Sequence, residues 1–401
     1  MRISTANAYN HSLDSLMDRQ SRLSNTQEQM TTGKRVNHAS DDPAAMGRAE
    51  RALAAEARST ANQRAVDASS NAMTLTETAL ADSGNLLQTA REALVAAGNA
   101  SYSDAERSGV ADQLASLRQQ LFAVANRSDG AGNFLFGGQG SNQPPFTDAA
   151  GGVQFQGTSG VVQAASGAEA LPLTMDGEAT WMRARTGNGV FEASAVTSNG
   201  TGWIDRGTVV NPAALTGSTY RIDFQVAGTT STTYSVLKDG LPTAQTNVAY
   251  AAGQAIQIDG MSSTVSGAPA NGDSFQLAPA TPTLSVFDTL DKAIKDLRTP
   301  TRTGTRVAQT NAVNLSNLDQ VLNQALVGRA QVGATLNRID GAAERLAALK
   351  LSSQTERSHA EDLDMVQAIS SFSNQQTGYD AALKAYSMVQ KLSLFNYVSP
   401  S

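Results

Sequence analysis

The chain contains no cysteine, and this absence removes several functions at once. Without cysteine there is no disulfide framework, no thiolate metal site and no cysteine nucleophile. Histidine is also scarce, and His11, His38 and His359 show no spacing that would bring them to one metal ion or catalytic pair. No Gly-Lys-Ser/Thr follows the glycine-rich residues 137–140, so no phosphate-binding loop is indicated. We therefore expect no cofactor, no metal ion and no enzymatic activity.

Basic charge and long apolar runs are also missing. The net charge is −6 and the isoelectric point is about 5.2, which makes nucleic acid an unfavourable partner. No apolar stretch reaches eighteen residues, so no membrane span is predicted. The first residues, MRISTANAYNHSLDSL, lack the apolar segment of a cleavable signal peptide. An exported form of this chain must therefore carry a different export signal.

Proline is almost confined to the middle of the chain. Of 11 prolines, only Pro43 and Pro400 lie outside residues 144–300. Because proline breaks helix interiors at a cost of about 3 kcal/mol, the flanks are free to be helical and the middle is not. Aromatic residues make up only 5% of the chain, which favours long, closely packed helices over a wide globular core. The sequence thus predicts helical ends and a different structure between them.

Local patterns agree with this division. A seven-residue apolar repeat predicts a long helix from Pro43 to near Gly98, and Ser103 with Glu106 predicts a capping box at the start of the next helix. The repeat consists of Val66, Met73, Leu80, Leu87 and Leu94. Alternating apolar residues at 220–226 and Asp-Gly turn signals at Asp176, Asp239 and Asp259 predict antiparallel strands. A further short strand is predicted at Phe134–Phe136.

The two chain ends have the same amphipathic spacing. Residues in alternating steps of four and three form one stripe in each terminal segment, as in a coiled coil. The N-terminal stripe contains Tyr9, Leu13, Leu16, Gln20, Leu23, Gln27 and Met30. The C-terminal stripe contains Met365, Ile369, Phe372, Gln376, Tyr379, Leu383, Tyr386 and Gln390. We expect the two ends to pair, so that the rest of the chain loops out between them.

These stripes are also the predicted assembly interface. Two helices with glutamines on the stripe bury little apolar area, which must offset an ordering cost of about 1–2 kcal/mol per residue. We therefore expect the ends to become fully ordered against neighbouring subunits. Arg329 lies on the apolar stripe of a long helix predicted to begin near Val307. Either its charged group reaches the edge of the stripe, or it pairs with a carboxylate on a neighbouring helix and fixes the register. Gly328 and Gly333 indicate close approach of another helix or a kink.

The predicted fold is mainly α with an inserted β domain. The N- and C-terminal halves are expected to form a long antiparallel coiled-coil rod with an antiparallel β domain at its tip. The predicted domains are a terminal assembly domain, a helical rod domain with a small β-hairpin, and the inserted β domain. Their boundaries are 1–42 with 358–401, 43–149 with 284–357, and 150–283.

Particular stretches resemble the bacterial flagellin family, which includes the flagellins and the hook-associated proteins that border them. TTGKRVNHASDDPAAM (Thr31–Met46) and RAQVGATLNRID (Arg329–Asp340) are similar to segments that the family shares. Three more stretches resemble a hook–filament junction protein of that family. These are GNFLFGGQGSNQPPF (Gly132–Phe146), VSGAPANGDSFQLAP (Val265–Pro279) and QKLSLFNYV (Gln390–Val398).

The resemblance implies a structural protein of the flagellum that is exported unfolded by the flagellar type III apparatus, without a cleaved signal peptide. It implies assembly outside the cell as a homo-oligomeric ring, with the other junction protein on the hook side and flagellin on the filament side. An export chaperone is expected at the C-terminal helix. Three alternatives remain from the sequence: a flagellin, a secreted binding or adhesion module carried by the β domain, and the less compatible cytoplasmic signalling coiled coil.

Overall fold

A computed structural model describes residues 2–99, 101–140, 143–166, 169–228, 231–300 and 303–391. The chain divides into two compact units. The terminal unit consists of residues 1–64 and 343–401, and the central unit consists of residues 65–342. The three domain boundaries expected from the sequence stay a prediction.

Helices occupy most of the two flanks, as the proline distribution predicts. In the described residues they are α1 (Arg2–Thr32), α2 (Pro43–Ala97), α3 (Asp104–Ala125), α4 (Gly177–Trp181), α5 (Val286–Arg298), α6 (Gly304–Glu361) and α7 (Met365–Lys391). α2 starts at Pro43, where the missing N–H needs no partner. The predicted capping box is present, because the Ser103 amide donates to Glu106 Oε2 at 2.7 Å and the Glu106 amide donates to Ser103 Oγ at 3.3 Å.

Within the central unit, α2 and α6 contribute to one core. All five members of the seven-residue repeat on α2 are buried. Polar contacts border this core: Arg329 Nε lies 2.7 Å from Glu77 Oε1, and Arg91 Nε lies 2.7 Å from Asp319 Oδ1. Arg329 therefore pairs with a carboxylate of the neighbouring helix, and its role in fixing register stays a prediction.

The two glycines of α6 have different surroundings. A Cβ on Gly328 would lie 3.3 Å from the Met175 methyl and 3.7 Å from Leu80 Cδ1, whereas a Cβ on Gly333 would have no neighbour within 4 Å. Close approach thus explains Gly328 and leaves Gly333 without a packing reason.

Gly333→Ala is expected to raise the free energy of unfolding by about 0.5–1 kcal/mol, because alanine restricts the unfolded chain and fits the helix. Gly328→Ala is the matched control and should gain less, since the Met175 methyl must move. Chemical denaturation of the full chain checks both. Equal gains at the two positions would contradict the close approach at Gly328.

Besides its helices, the central unit contains antiparallel β structure. Its described strands are β1 (Phe146–Ala149), β2 (Gly152–Phe155), β3 (Gln163–Ser166), β4 (Glu169–Pro172), β5 (Phe191–Thr197), β6 (Trp203–Ile204), β7 (Thr208–Val209), β8 (Tyr220–Ala227), β9 (Ser231–Lys238), β10 (Leu241–Pro242), β11 (Val248–Ala249), β12 (Ala255–Ile258), β13 (Met261–Ser266) and β14 (Ser274–Pro279). One sheet has the order β10-β9-β8-β14-β5, with β11 also on β9. Another has the order β12-β13-β6, with β7 also on β13. Residues of both sheets form one hydrophobic cluster that includes Ile222, Phe275 and Val265. The expected fold class, helical halves around an inserted antiparallel β domain, is confirmed.

Two local expectations differ from the structure. Phe134–Phe136 is not a strand: it lies in turns, and Phe134 makes only an isolated bridge to Ser128. The reason is that Leu135 and Phe136 both point into the core, which an extended strand with alternating faces does not allow. Asp176 does not begin a turn between strands either. Its carboxylate caps α4 by accepting from the Ala179 amide at 3.0 Å.

An arginine connects three elements of the central unit. The side chain of Arg118 on α3 is only 11% exposed. Its guanidinium contacts Asp148 of β1 and Asp291 of α5. Its Nε and Nη2 lie 2.9 Å from the two oxygens of Asp291. The hydrogen bond from Arg118 lowers the pKa of Asp148, while burial and then the Asp291 charge raise the pKa of nearby Asp288. The arginine thus holds α3, the β1–β2 hairpin and α5 together.

Candidate assembly surface on the terminal helices

The terminal helices are joined where they meet the rest of the terminal unit. α1 ends at Thr32 and is followed by Gly33, whose φ of 71° suits glycine, and the chain then runs beside the break between α6 and α7. The Arg35 amide donates to the Glu361 carbonyl at 2.7 Å, and the Leu363 amide donates to the Gly33 carbonyl at 3.0 Å. Lys34 Nζ also lies 3.1 Å from Glu361 Oε2. These contacts fix the starting register of the helix pair.

α1 and α7 pair in antiparallel orientation. Thr26 Oγ1 donates to Gln375 Oε1 at 3.0 Å, and farther along the pair the Tyr9 and Tyr386 rings lie 5.6 Å apart with their hydroxyls hydrogen-bonded at 2.6 Å. Residue numbers therefore rise on one helix as they fall on the other. The predicted pairing of the two chain ends is present in the structure.

On each helix, every other position that faces the partner agrees with the predicted stripe. The remaining facing positions lie one residue before the predicted position. From Tyr9 on α1 and from Phe372 on α7, every seventh residue faces the partner helix as expected, and these positions are Tyr9, Leu16, Leu23 and Met30 on α1 and Phe372, Tyr379 and Tyr386 on α7. Met365, the first member of the predicted C-terminal stripe, is instead exposed at the start of α7. The intervening facing positions are Ser12, Arg19 and Thr26 on α1 and Ala368, Gln375 and Ala382 on α7. Thr26 and Ala368 are buried, and Arg19 Nη1 would lie 2.9 Å from a Cβ on Gly378.

Sequence reasoning missed these intervening positions because they are small or polar. A search for apolar residues selects Leu13 over Ser12 and Ile369 over Ala368. A heptad repeat counted from Tyr9 and Phe372 is compatible with either residue of each pair. Only the small size of serine, threonine and alanine favours Ser12 and Ala368 as the facing positions.

The displaced residues form a second surface, which we call the lateral stripe. It consists of Leu13, Gln20 and Gln27 on α1 and Ile369, Gln376 and Leu383 on α7, and all six are exposed. In a heptad these are e positions, and reversing one helix of a pair places the e positions of both helices on the same side. The side chain of Gln390, the next predicted member, lies outside the described residues.

The position of the glutamines removes an energetic difficulty. On a buried seam, unpaired glutamines would each cost a few kcal/mol. Gln20, Gln27 and Gln376 are instead exposed on the lateral stripe, where water satisfies their amides. The side that faces the partner helix keeps Gln375, which is hydrogen-bonded to Thr26. The stripe therefore presents exposed leucine and isoleucine side chains next to amides.

Other kinds of site are not found in the part of the chain that the structure describes. No cluster of three or more potential metal-ligating side chains occurs among those residues. No described helix combines the length and apolarity needed to cross a membrane. The candidate functional surface is the terminal helix pair, because its lateral stripe exposes leucine and isoleucine beside amides.

Comparison with known proteins agrees with this architecture. The family model of the bacterial flagellin N-terminal helical region matches residues 3–141, and that of the C-terminal helical region matches residues 315–398. Flagellar hook-associated protein 3 of Escherichia coli K12 is 26% identical over 400 residues, or 98% of this chain and 99% of that protein.

Two crystal structures extend the likeness to the fold. Xanthomonas campestris FlgL is 30% identical with a TM-score of 0.66, over 76% of this chain and 99% of that chain. Hook-associated protein 3 of Legionella pneumophila is 27% identical with a TM-score of 0.71, over 76% and 97%. The chain belongs to the flagellin family of flagellar proteins. Within that family, the chain is similar to hook-associated protein 3 over almost its whole length.

Proposed function

We propose that this chain is a structural component of the bacterial flagellum that forms the junction ring between hook and filament. The observation that carries the proposal is the lateral stripe: the α1–α7 pair leaves leucine and isoleucine exposed beside amides, on helices that match the flagellin family. The relatives' names, flagellar hook-associated protein and flagellar junction protein, support the same role and a structural rather than enzymatic one.

The mechanism is matching of interfaces. Terminal helices of neighbouring copies bury each other's lateral stripes, which gives a homo-oligomeric ring. Met365, a member of the stripe predicted from the sequence, is exposed and borders the same surface. One end of the ring fits the other junction protein on the hook side, and the opposite end fits flagellin. Because amides on the stripe must find partners when they are buried, they select one register at some cost in stability.

Isolated hooks that carry the other junction protein provide the test. Purified chain should bind them as a cap seen by electron microscopy, and alone it should form no long filament in a kosmotropic salt that strengthens apolar burial. Long filaments of the chain alone would identify a flagellin instead. A monomer that never binds hooks would favour a secreted binding module carried by the β domain.

Export is the second part of the proposal. The chain is expected to leave the cell through the flagellar type III apparatus, with an export chaperone on the exposed apolar residues of α7, such as Val366. Deleting residues 2–30 should abolish secretion if the unfolded N-terminal segment carries the export signal. Immunoblotting of culture medium checks this, with deletion of residues 241–250 in the β domain as the control. Normal secretion of the N-terminal deletion would contradict the assignment.

A further inference from the structure

The exposed methionines are concentrated on the terminal helices. Among the methionines that the structure describes, Met17, Met365 and Met388 are exposed, by 62%, 42% and 64% respectively. Met17 and Met388 lie on α1 and α7, and Met365 starts α7. In contrast, Met73 and Met261 in the central unit are buried. The chain has no cysteine, so methionine thioethers are its only sulfur groups.

Two of these thioethers border the lateral stripe. Met17 is four residues from Leu13 and three from Gln20 on α1, and Met365 is four residues from Ile369 on α7. Residues three or four apart on a helix are neighbours on its surface. A change in polarity at either sulfur therefore alters the surface that another helix would cover.

We propose that Met17 and Met365, the two thioethers that border the lateral stripe, form an oxidation-sensitive pair that controls whether a free subunit can assemble. Hydrogen peroxide transfers one oxygen atom to each thioether sulfur: the O–O bond breaks, an S–O bond forms, the sulfur is oxidised by two electrons and the peroxide is reduced to water. The sulfoxide product is polar and chiral in place of a flexible apolar side chain. Packing of a neighbouring helix on the stripe then has to bury a polar S=O group without a partner.

This inference rests on the proposed function, because it needs the stripe to be covered by another subunit. It adds a distinct property: free subunits lose the ability to assemble when oxidised, and covered methionines are protected. Methionine sulfoxide reductases, which reverse the modification, should restore assembly.

The test compares wild type with a variant that carries Met17→Leu and Met365→Leu. Each protein is treated with dilute hydrogen peroxide, oxidised sites are mapped by peptide mass, and binding to hooks is measured before and after treatment. Each protein is compared only with its own untreated level. Wild type should gain oxygen at the three exposed methionines before Met73 and Met261, and should lose hook binding by about tenfold or more. The variant should lose less than about twofold, and reductase treatment of wild type should restore binding.

Three results would overturn the inference. They are full binding by wild type that carries both sulfoxides, an equal loss in the leucine variant, and oxidation of the buried methionines before the exposed ones. Untreated wild type that does not bind hooks would refute the proposed function itself, and this is read before any oxidant is added.

Discussion

Leu383→Asp is expected to leave the monomer folded and to block its incorporation at the junction. Leu383 is 41% exposed on the lateral stripe, so the aspartate stays hydrated in the free protein and should change stability by less than about 0.5 kcal/mol. In a ring the same carboxylate would be buried against a neighbouring helix at a cost of several kcal/mol, which corresponds to about a hundredfold or greater loss of hook binding. Chemical denaturation and hook binding measure the two effects separately.

Leu241→Asp is the matched control for this substitution. Leu241 is 72% exposed on β10 in the β domain, so the chemical change is the same and the residue is also exposed, but it lies away from the terminal helices in the sequence. We expect normal hook binding and normal motility in a strain that carries this control. Normal motility with Leu383→Asp would show that the lateral stripe of the terminal helices is not part of the assembly surface.

Arg118→Met is expected to cost about 2–4 kcal/mol of folding free energy, because it leaves several carboxylates facing each other without a cation. Methionine keeps the first part of the aliphatic stem but lacks the guanidinium carbon, which lies 6.0 Å from the centre of the Phe287 ring, so the loss reports on that contact as well as on the charge. Arg298→Met is the matched control: Arg298 is half exposed and pairs with exposed Asp112, and its loss should cost less than about 0.5 kcal/mol. Denaturation of the full chains compares the two.

The Arg118 deficit should depend on pH in a known direction. In wild type the pKa of Asp148 is lowered by Arg118, so this pair stabilises the fold above the unfolded pKa of aspartate and is lost as pH falls through the folded value. The difference between wild type and Arg118→Met should therefore stay at its full size from neutral pH to about pH 5 and shrink below that, as pH falls through the unfolded and then the lowered folded pKa of Asp148. A difference that grows on acidification would contradict the ion-pair explanation.

The sequence was sufficient for the helical elements and insufficient for some turns. The seven-residue repeat of α2 and the capping box of α3 are local patterns, and each appears in the structure as expected. The error at Phe134–Phe136 has a different origin, since tertiary packing draws both Leu135 and Phe136 into the core. Strand order in the β domain depends on pairings between distant segments, such as β5 with β14, which no local pattern contains.

The candidate site could be located from the sequence but not divided into its two surfaces. The seven-residue spacing was enough to predict that the two terminal helices pair, and the assembly role of their exposed side stays a prediction. The remaining positions of the helix pair depend on contacts between the two helices. One such contact is the hydrogen bond between Thr26 and Gln375, which places both residues on the facing side. The residues first expected between the helices, such as Gln20 and Gln376, are consequently the exposed ones.

The most direct measurement of the central claim is protection of the lateral stripe from chemical labelling. The natural chain has no cysteine, so Gln20→Cys or Leu383→Cys introduces a single thiol for a maleimide reagent, and Leu241→Cys provides the control. Both stripe positions should label readily in the free subunit and at least about tenfold more slowly once the protein is bound to hooks, because an interface core excludes solvent. The control should label at the same rate in both states. Equal labelling of the stripe in free and bound protein would contradict its role as the surface that joins neighbouring subunits.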